Sequence, residues 1–190
     1  FVRTKEELDI LDKIKSNTES FMSDVVLAQK PFGLRTYETP LSEGDIVLRY
    51  NKGKGLYLRK RIETNSNLID KWKVITSCAT NEHAGETGRK RIISTLEVLK
   101  PGEICTETYM VISTFESEKE ANSCIAYIKT NLVRFMLAMV TTTQHLSKSN
   151  FQFVPLQDFS EPWTDEKLYA KYGITPDEQA YIESLIKPME

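Results

Sequence analysis

Ser117-Glu-Lys-Glu-Ala-Asn-Ser-Cys-Ile-Ala-Tyr-Ile-Lys-Thr-Asn-Leu-Val-Arg-Phe-Met-Leu-Ala-Met139 holds the clearest helical periodicity in the chain. Ala121, Cys124, Ile125, Ile128, Leu132, Phe135, Met136 and Met139 recur at spacings of three and four, which gives a wide apolar face. Ser117 with Glu120 three residues on forms a capping box that starts the helix. A face this wide has to be covered by a sheet, so the stretch predicts one long helix, 117–139, packed deep in an α+β fold.

The flanking sequence supplies the sheet. From Pro31 to Ile112 the texture is short β-rich runs: Ile46–Tyr50, Gly55–Leu58, Lys73–Ser77, Ile92–Leu96 and Thr106–Ile112. Glycines between them punctuate a bent sheet with sizeable loops. Residues 4–27 place Leu8, Leu11, Ile14, Phe21 and Val25 at roughly helical spacing, with a weak point near Asn17. Downstream, the apolar run Phe151, Phe153, Val154 is broken by Pro155, and Pro162-Trp163 leads into two short helices. The first, Asp165–Tyr172, ends at Gly173; the second, Pro176–Ile186, begins with Thr175 as its cap. The expected architecture is therefore a twisted, mostly antiparallel sheet on one long helix, with an N-terminal helix and a helical C-terminal tail. Residues 1–27 would be an amphipathic helix or linker from an upstream domain, 28–160 the core and 161–190 the tail.

With 40% hydrophobic and 27% charged residues in 190, the composition is that of an ordinary globular protein. The start, Phe1-Val2-Arg3-Thr4-Lys5, has no initiator Met and no apolar signal core, as expected of an excised piece. No run is long enough for a transmembrane helix. Cys78, Cys105 and Cys124 form no Cys-x-x-Cys pair, which suits buried thiols in a cytoplasmic protein better than a disulfide framework or a zinc site. Charge is unevenly spread. Residues 28–100 carry 14 Lys/Arg against 8 Asp/Glu, whereas residues 101–190 carry 7 against 13. Only the middle of the chain suits a polyanion.

Catalytic signals are sparse. The chain has no phosphate-cradling glycine loop and no Gly-x-Ser-x-Gly elbow. His83 and Cys105 would be the thiol–imidazole pair of a small hydrolase, but no third orienting group is identifiable. His145 reads as a cap at a helix end. Asp165-Glu166-Lys167 mimics the tail of a nuclease motif, yet acidic residues are expected at a helix start. Neither catalytic nor metal-ligating residues are assigned.

Basic segments stand out more. Arg49 to Arg61 holds six cations and no carboxylate around Gly53 and Gly55, and reads as a hairpin with an exposed basic tip. His83 to Arg91 is a second glycine-containing loop ending in three cations. Such groups suit phosphates, with Tyr and Asn available to sugars or base edges. Charge and loop position select the candidate DNA contacts Lys30, Arg35, Arg49, Asn51, Lys52, Lys54, Tyr57, Arg59, Lys60, Arg61, Lys73, His83, Arg89, Lys90 and Arg91.

Several segments, in order, resemble a known family. They are Lys30-Pro31-Phe32-Gly33-Leu34-Arg35, Asp70-Lys71-Trp72-Lys73-Val74, His83-Ala84-Gly85-Glu86 and Cys105-Thr106-Glu107-Thr108-Tyr109. Further on come Tyr127-Ile128-Lys129-Thr130 with Arg134-Phe135, then Phe151 to Phe159, Tyr169-Ala170-Lys171-Tyr172-Gly173 and Ile182 to Met189. Together, over about residues 25 to 190, they are similar to the C-terminal target-recognition region of adenine-specific DNA methyltransferases, in particular fused type II restriction–modification enzymes. The resemblance implies sequence-specific recognition of double-stranded DNA, beside an upstream methyltransferase domain of the same chain. That domain would use S-adenosylmethionine and hold the flipped adenine through an Asn-Pro-Pro-Tyr-type motif. Neither that motif nor a cofactor-binding glycine loop occurs here, so no cofactor and no catalysis are expected of these residues. The resemblance does not say which residues touch bases. The alternatives are a protein–protein module joining a methyltransferase to a partner subunit, and the small cysteine hydrolase already described.

Overall fold

The computed structural model describes residues 3–80 and 88–189. Among them are helices α1 (Lys5–Ser16), α2 (Glu118–Lys129), α3 (Asn131–Val140), α4 (Asp165–Tyr172) and α5 (Pro176–Leu185). The strands are β1 (Ile46–Tyr50), β2 (Gly53–Tyr57), β3 (Trp72–Ser77), β4 (Leu96–Leu99), β5 (Glu103–Cys105) and β6 (Tyr109–Phe115). The fold is α+β, as the patterning implies.

The strands form two sheets of three, where one sheet was expected. In the first, ordered β2-β1-β5, β1 pairs antiparallel with β2 and parallel with β5. In the second, ordered β4-β3-β6, both pairs are antiparallel and the β3–β6 register shifts between Val74 and Ile75. Observed β4 begins at Leu96, where the expected strand ended.

The second sheet is covered on both faces, which explains why β3 and β6 are almost wholly buried. Val74, Met110 and Ile112 belong to a core shared with the helices. Ile75, Val111 and Leu99 belong to a smaller core with Leu48, Ile104, Ile69, Phe32 and Leu34 on the hairpin side. Ile10, Ile14, Leu168, Tyr172 and Ile182 all reach the larger core, so the N-terminal helix and the C-terminal tail pack on the same body as residues 28–160.

The expected 117–139 helix is two helices, α2 and α3, bent by 64° at Thr130. Ser117 caps α2 by accepting the Glu120 N–H. Thr130 leaves the helical region (φ −61°, ψ 152°) and caps α3, its hydroxyl accepting from Val133 N–H and donating to the Tyr127 carbonyl. The carboxylate of Asp165 then accepts the Asn131 and Leu132 N–H groups at 2.9 and 3.0 Å. Two caps satisfy the amides freed by the break. The bend also lets Arg134, 1% exposed, donate to the carbonyls of Lys129 and Lys187 and to Asn131 Oδ1, tying the C-terminus to the break.

α1 stops at Ser16 and is followed by a single 3-10 turn at Met22–Asp24, so the expected helix over 4–27 is shorter than its periodicity suggested. In the tail, Gly173 ends α4 with φ +64°, a conformation that favours glycine. No single helix among the described residues is long and apolar enough to cross a membrane.

Candidate nucleic-acid interface

Turn 106–108, between β5 and β6, organises the basic elements. Thr106 N–H donates to the Arg49 carbonyl (3.2 Å), which places the β1–β2 hairpin beside it. Glu107 N–H donates to the Leu34 carbonyl (2.9 Å), and Glu107 Oε1 accepts the Thr36 N–H (3.2 Å). Cys78 N–H donates to the Thr108 carbonyl (3.0 Å), bringing in the end of β3. Three segments far apart in sequence thus meet at one end of the two sheets. The hairpin turn carries exposed Asn51 and Lys52, the 30–36 loop carries exposed Arg35 and half-buried Lys30, and none of these three cations has a carboxylate partner among the described residues.

Other candidate residues fall elsewhere, each for a physical reason. Arg49 faces inward, with Nε and Nη2 on the carboxylate of Glu97 at 2.8–3.0 Å and its guanidinium 4.8 Å from the Tyr109 ring centroid. Glu97 holds its pKa above the ordinary arginine value. Arg49 is thus a clamp between the two sheets, and the DNA assignment is corrected. Lys54 pairs with Glu103 at 3.0 Å, and Arg59 pairs through both terminal nitrogens with Asp70 at 2.9 Å. Arg59 holds the Asp70 carboxyl below the usual range. To meet phosphate, Lys54 and Arg59 would have to give up these carboxylates, which ranks them behind the unmatched cations.

Tyr57 is buried and gives its hydroxyl to Glu38 (3.3 Å); burial, with the Glu38 charge beside it, raises its pKa. Exposed Lys60 and Arg61 follow β2 at the end opposite the hairpin turn, next to the start of β3. The expected single basic tip over 49–61 is therefore split along a five-residue strand, roughly 17 Å at 3.4 Å per residue.

Lys73 is the largest departure. It is 0% exposed, and its ammonium donates to the carbonyls of Ile69 and Lys71 (both 2.6 Å), Lys100 (3.3 Å) and Leu68 (3.4 Å). Burial pushes its pKa down to about 8. It knots the β3 entry to the β4–β5 turn and is removed from the candidate contacts.

His83 lies outside the described residues. Arg89 and Lys90 are exposed, whereas Arg91 is half-buried. Lys90 is held by backbone bonds to Leu185 and Lys187 (both 2.8 Å) and lines a cleft of about 230 Å³ with Arg3, Glu7 and Met139. These cations belong to the helical side rather than the hairpin turn.

Cys105, the thiol of the hydrolase reading, is fully buried, and burial drives its pKa far above the ordinary range, which disfavours the thiolate. Among the described residues no group of three or more His, Cys, Asp or Glu is placed to hold a metal.

Two residues near turn 106–108 escaped the charge-based reading. Tyr37, beside Arg35, is 77% exposed. Exposed Lys148 lines a small cavity of about 50 Å³ with Cys78, Tyr109 and His145. An aromatic residue in an otherwise polar loop was the available signal for Tyr37; Lys148 had none.

The chain matches no protein-family model, no curated protein and no solved structure.

Proposed function

We propose that this domain binds duplex DNA and reads its sequence, as the target-recognition part of an adenine-specific methyltransferase of the restriction–modification kind. The catalytic domain, with its S-adenosylmethionine, would lie upstream in the same polypeptide, and the enzyme would work in the cytoplasm. The reading rests on the ordered family-like segments and on one observation: Lys30, Arg35 and Lys52 converge on turn 106–108 without carboxylate partners among the described residues. The matched pairs of Arg49 and Lys54 flank that end, Arg59 lies at the opposite end of β2, and the phosphate contacts fall to the unmatched cations. Acidic residues concentrate in 101–190, so phosphate would approach from the hairpin side and not from the helices.

A second reading, the module that joins a methyltransferase to a protein partner, is favoured by the acidic cleft between α4 and α5 lined by Asp165, Glu166 and Glu183. Fluorescence anisotropy of a labelled random-sequence duplex across a salt series separates the two. Three phosphate contacts give a slope of log K against log salt of about −2.7, from about −0.9 per contact. Binding that ignores salt, or no binding at low salt, would leave the protein–protein reading in place.

A further inference from the structure

Tyr37 is the most exposed large hydrophobic side chain among the described residues, at 77%; Leu8 and Leu56 follow at 47% and 44%. A single exposed aromatic residue is ordinary by itself. Its mounting is less ordinary. Glu38 N–H donates to the Arg35 carbonyl (3.0 Å), closing a four-residue turn with Tyr37 in its third position. The Thr36 N–H is held by Glu107 Oε1, and the Glu38 carboxylate accepts the hydroxyl of buried Tyr57. Before the turn, Phe32 and Leu34 are sunk in the hairpin-side core. The ring is therefore held in solvent beside Arg35 by a turn anchored on one side at Glu107 of turn 106–108 and on the other at Tyr57 of β2.

We propose that Tyr37 is a stacking residue, packing its ring on a nucleobase at a step of the duplex that binding loosens. The proposal rests on the DNA-binding reading given above. Its chemistry is distinct from the phosphate contacts: a π-face accepts any base, adds little to the salt slope, and gains most where the base is already poorly stacked. Arg35, two residues away, would hold the adjacent phosphate and set the ring's approach.

The test uses the 190-residue chain and two labelled duplexes that differ only by one central mismatch. The intact protein should prefer the mismatched duplex, and Tyr37→Phe should keep that preference. Tyr37→Ala should lose it, binding the mismatched duplex about 5- to 150-fold more weakly with the same salt slope. Thermal melting should be unchanged in both variants, because the side chain has little burial to lose. If the intact chain binds both duplexes with a steep salt slope but shows no mismatch preference, or Tyr37→Ala retains one, the stacking role is wrong and the DNA reading stands. If it binds neither duplex at low salt, the DNA reading fails and the stacking role with it.

Discussion

Replacing Lys73 with Met tests how a buried charge is tolerated in this fold. In the native chain the ammonium is buried, and four carbonyls surround it. Three of these have another donor: Leu68 accepts from Lys71, Ile69 from Gly102 and Lys100 from Glu103. The variant therefore leaves chiefly the Lys71 carbonyl unpaired, a cost of about 1–3 kcal/mol that does not depend on pH. The charge itself is pH-dependent. The native pKa is about 8 against 10.5 for the free side chain. Between those values the unfolded chain keeps a proton that the native chain has lost, so stability rises with pH. Below about pH 8 both states are protonated and the burial cost is constant. From about pH 7 to about pH 10 the wild type should gain about 2.5 kcal/mol from this group alone. Buried Cys105, Cys124, Tyr127 and Tyr169 are pushed the other way by burial and lose stability over the same range. The wild-type-minus-variant difference from urea unfolding removes the contributions of Cys124, Tyr127 and Tyr169, and most of that of Cys105, whose thiol the Lys73 charge also pulls down. That difference should move in favour of the wild type by about 2.5 kcal/mol as pH rises. A flat difference would show that the carbonyl cage holds the ammonium without penalty and would refute the reasoning.

Two further variants probe the helices. Ile128→Ala should cost about 2–5 kcal/mol in denaturant melts, because the side chain is fully buried in the larger core; a loss under about 0.5 kcal/mol would place the wrong face inward. Thr130→Ala removes the cap of α3 and the hydroxyl bond to the Tyr127 carbonyl, and should cost about 1 kcal/mol or somewhat more; an unchanged midpoint would mean that Asp165 alone holds that end.

Local signals were readable in the sequence and pairings across it were not. Ser117 and Thr175 act as helix caps, and Gly173 ends its helix where glycine is needed. The β1–β2 hairpin follows from two strand-like runs around Asn51-Lys52. The break at Thr130 was hidden because the apolar spacing runs straight through it; Thr-Asn in mid-helix was the local clue, and its second cap, Asp165, lies 34 residues away from Asn131. Lys73 reads as solvent-facing in an alternating strand, yet a sheet covered on both faces has no solvent face there. Charge counting also overstated the 49–61 segment: Arg49, Lys54 and Arg59 meet Glu97, Glu103 and Asp70, partners brought in by the fold. What remained of the candidate site, Lys30, Arg35, Asn51 and Lys52, was legible as basic and polar loop, but its convergence on turn 106–108 depends on the parallel β1–β5 pair, which no local pattern encodes.

The central claim, that phosphate binds at the hairpin turn and the 30–36 loop, is tested most directly by two double charge reversals in one salt titration. Arg35→Glu with Lys52→Glu alters the converging end; Lys60→Glu with Arg61→Glu alters the far end of β2 by the same charge. The account predicts that the first pair lowers duplex affinity sharply at low salt and reduces the slope by about two units, from about −0.9 per lost contact, while the second leaves the slope unchanged. Equal effects from both pairs, or a loss confined to the Lys60 and Arg61 variant, would contradict it.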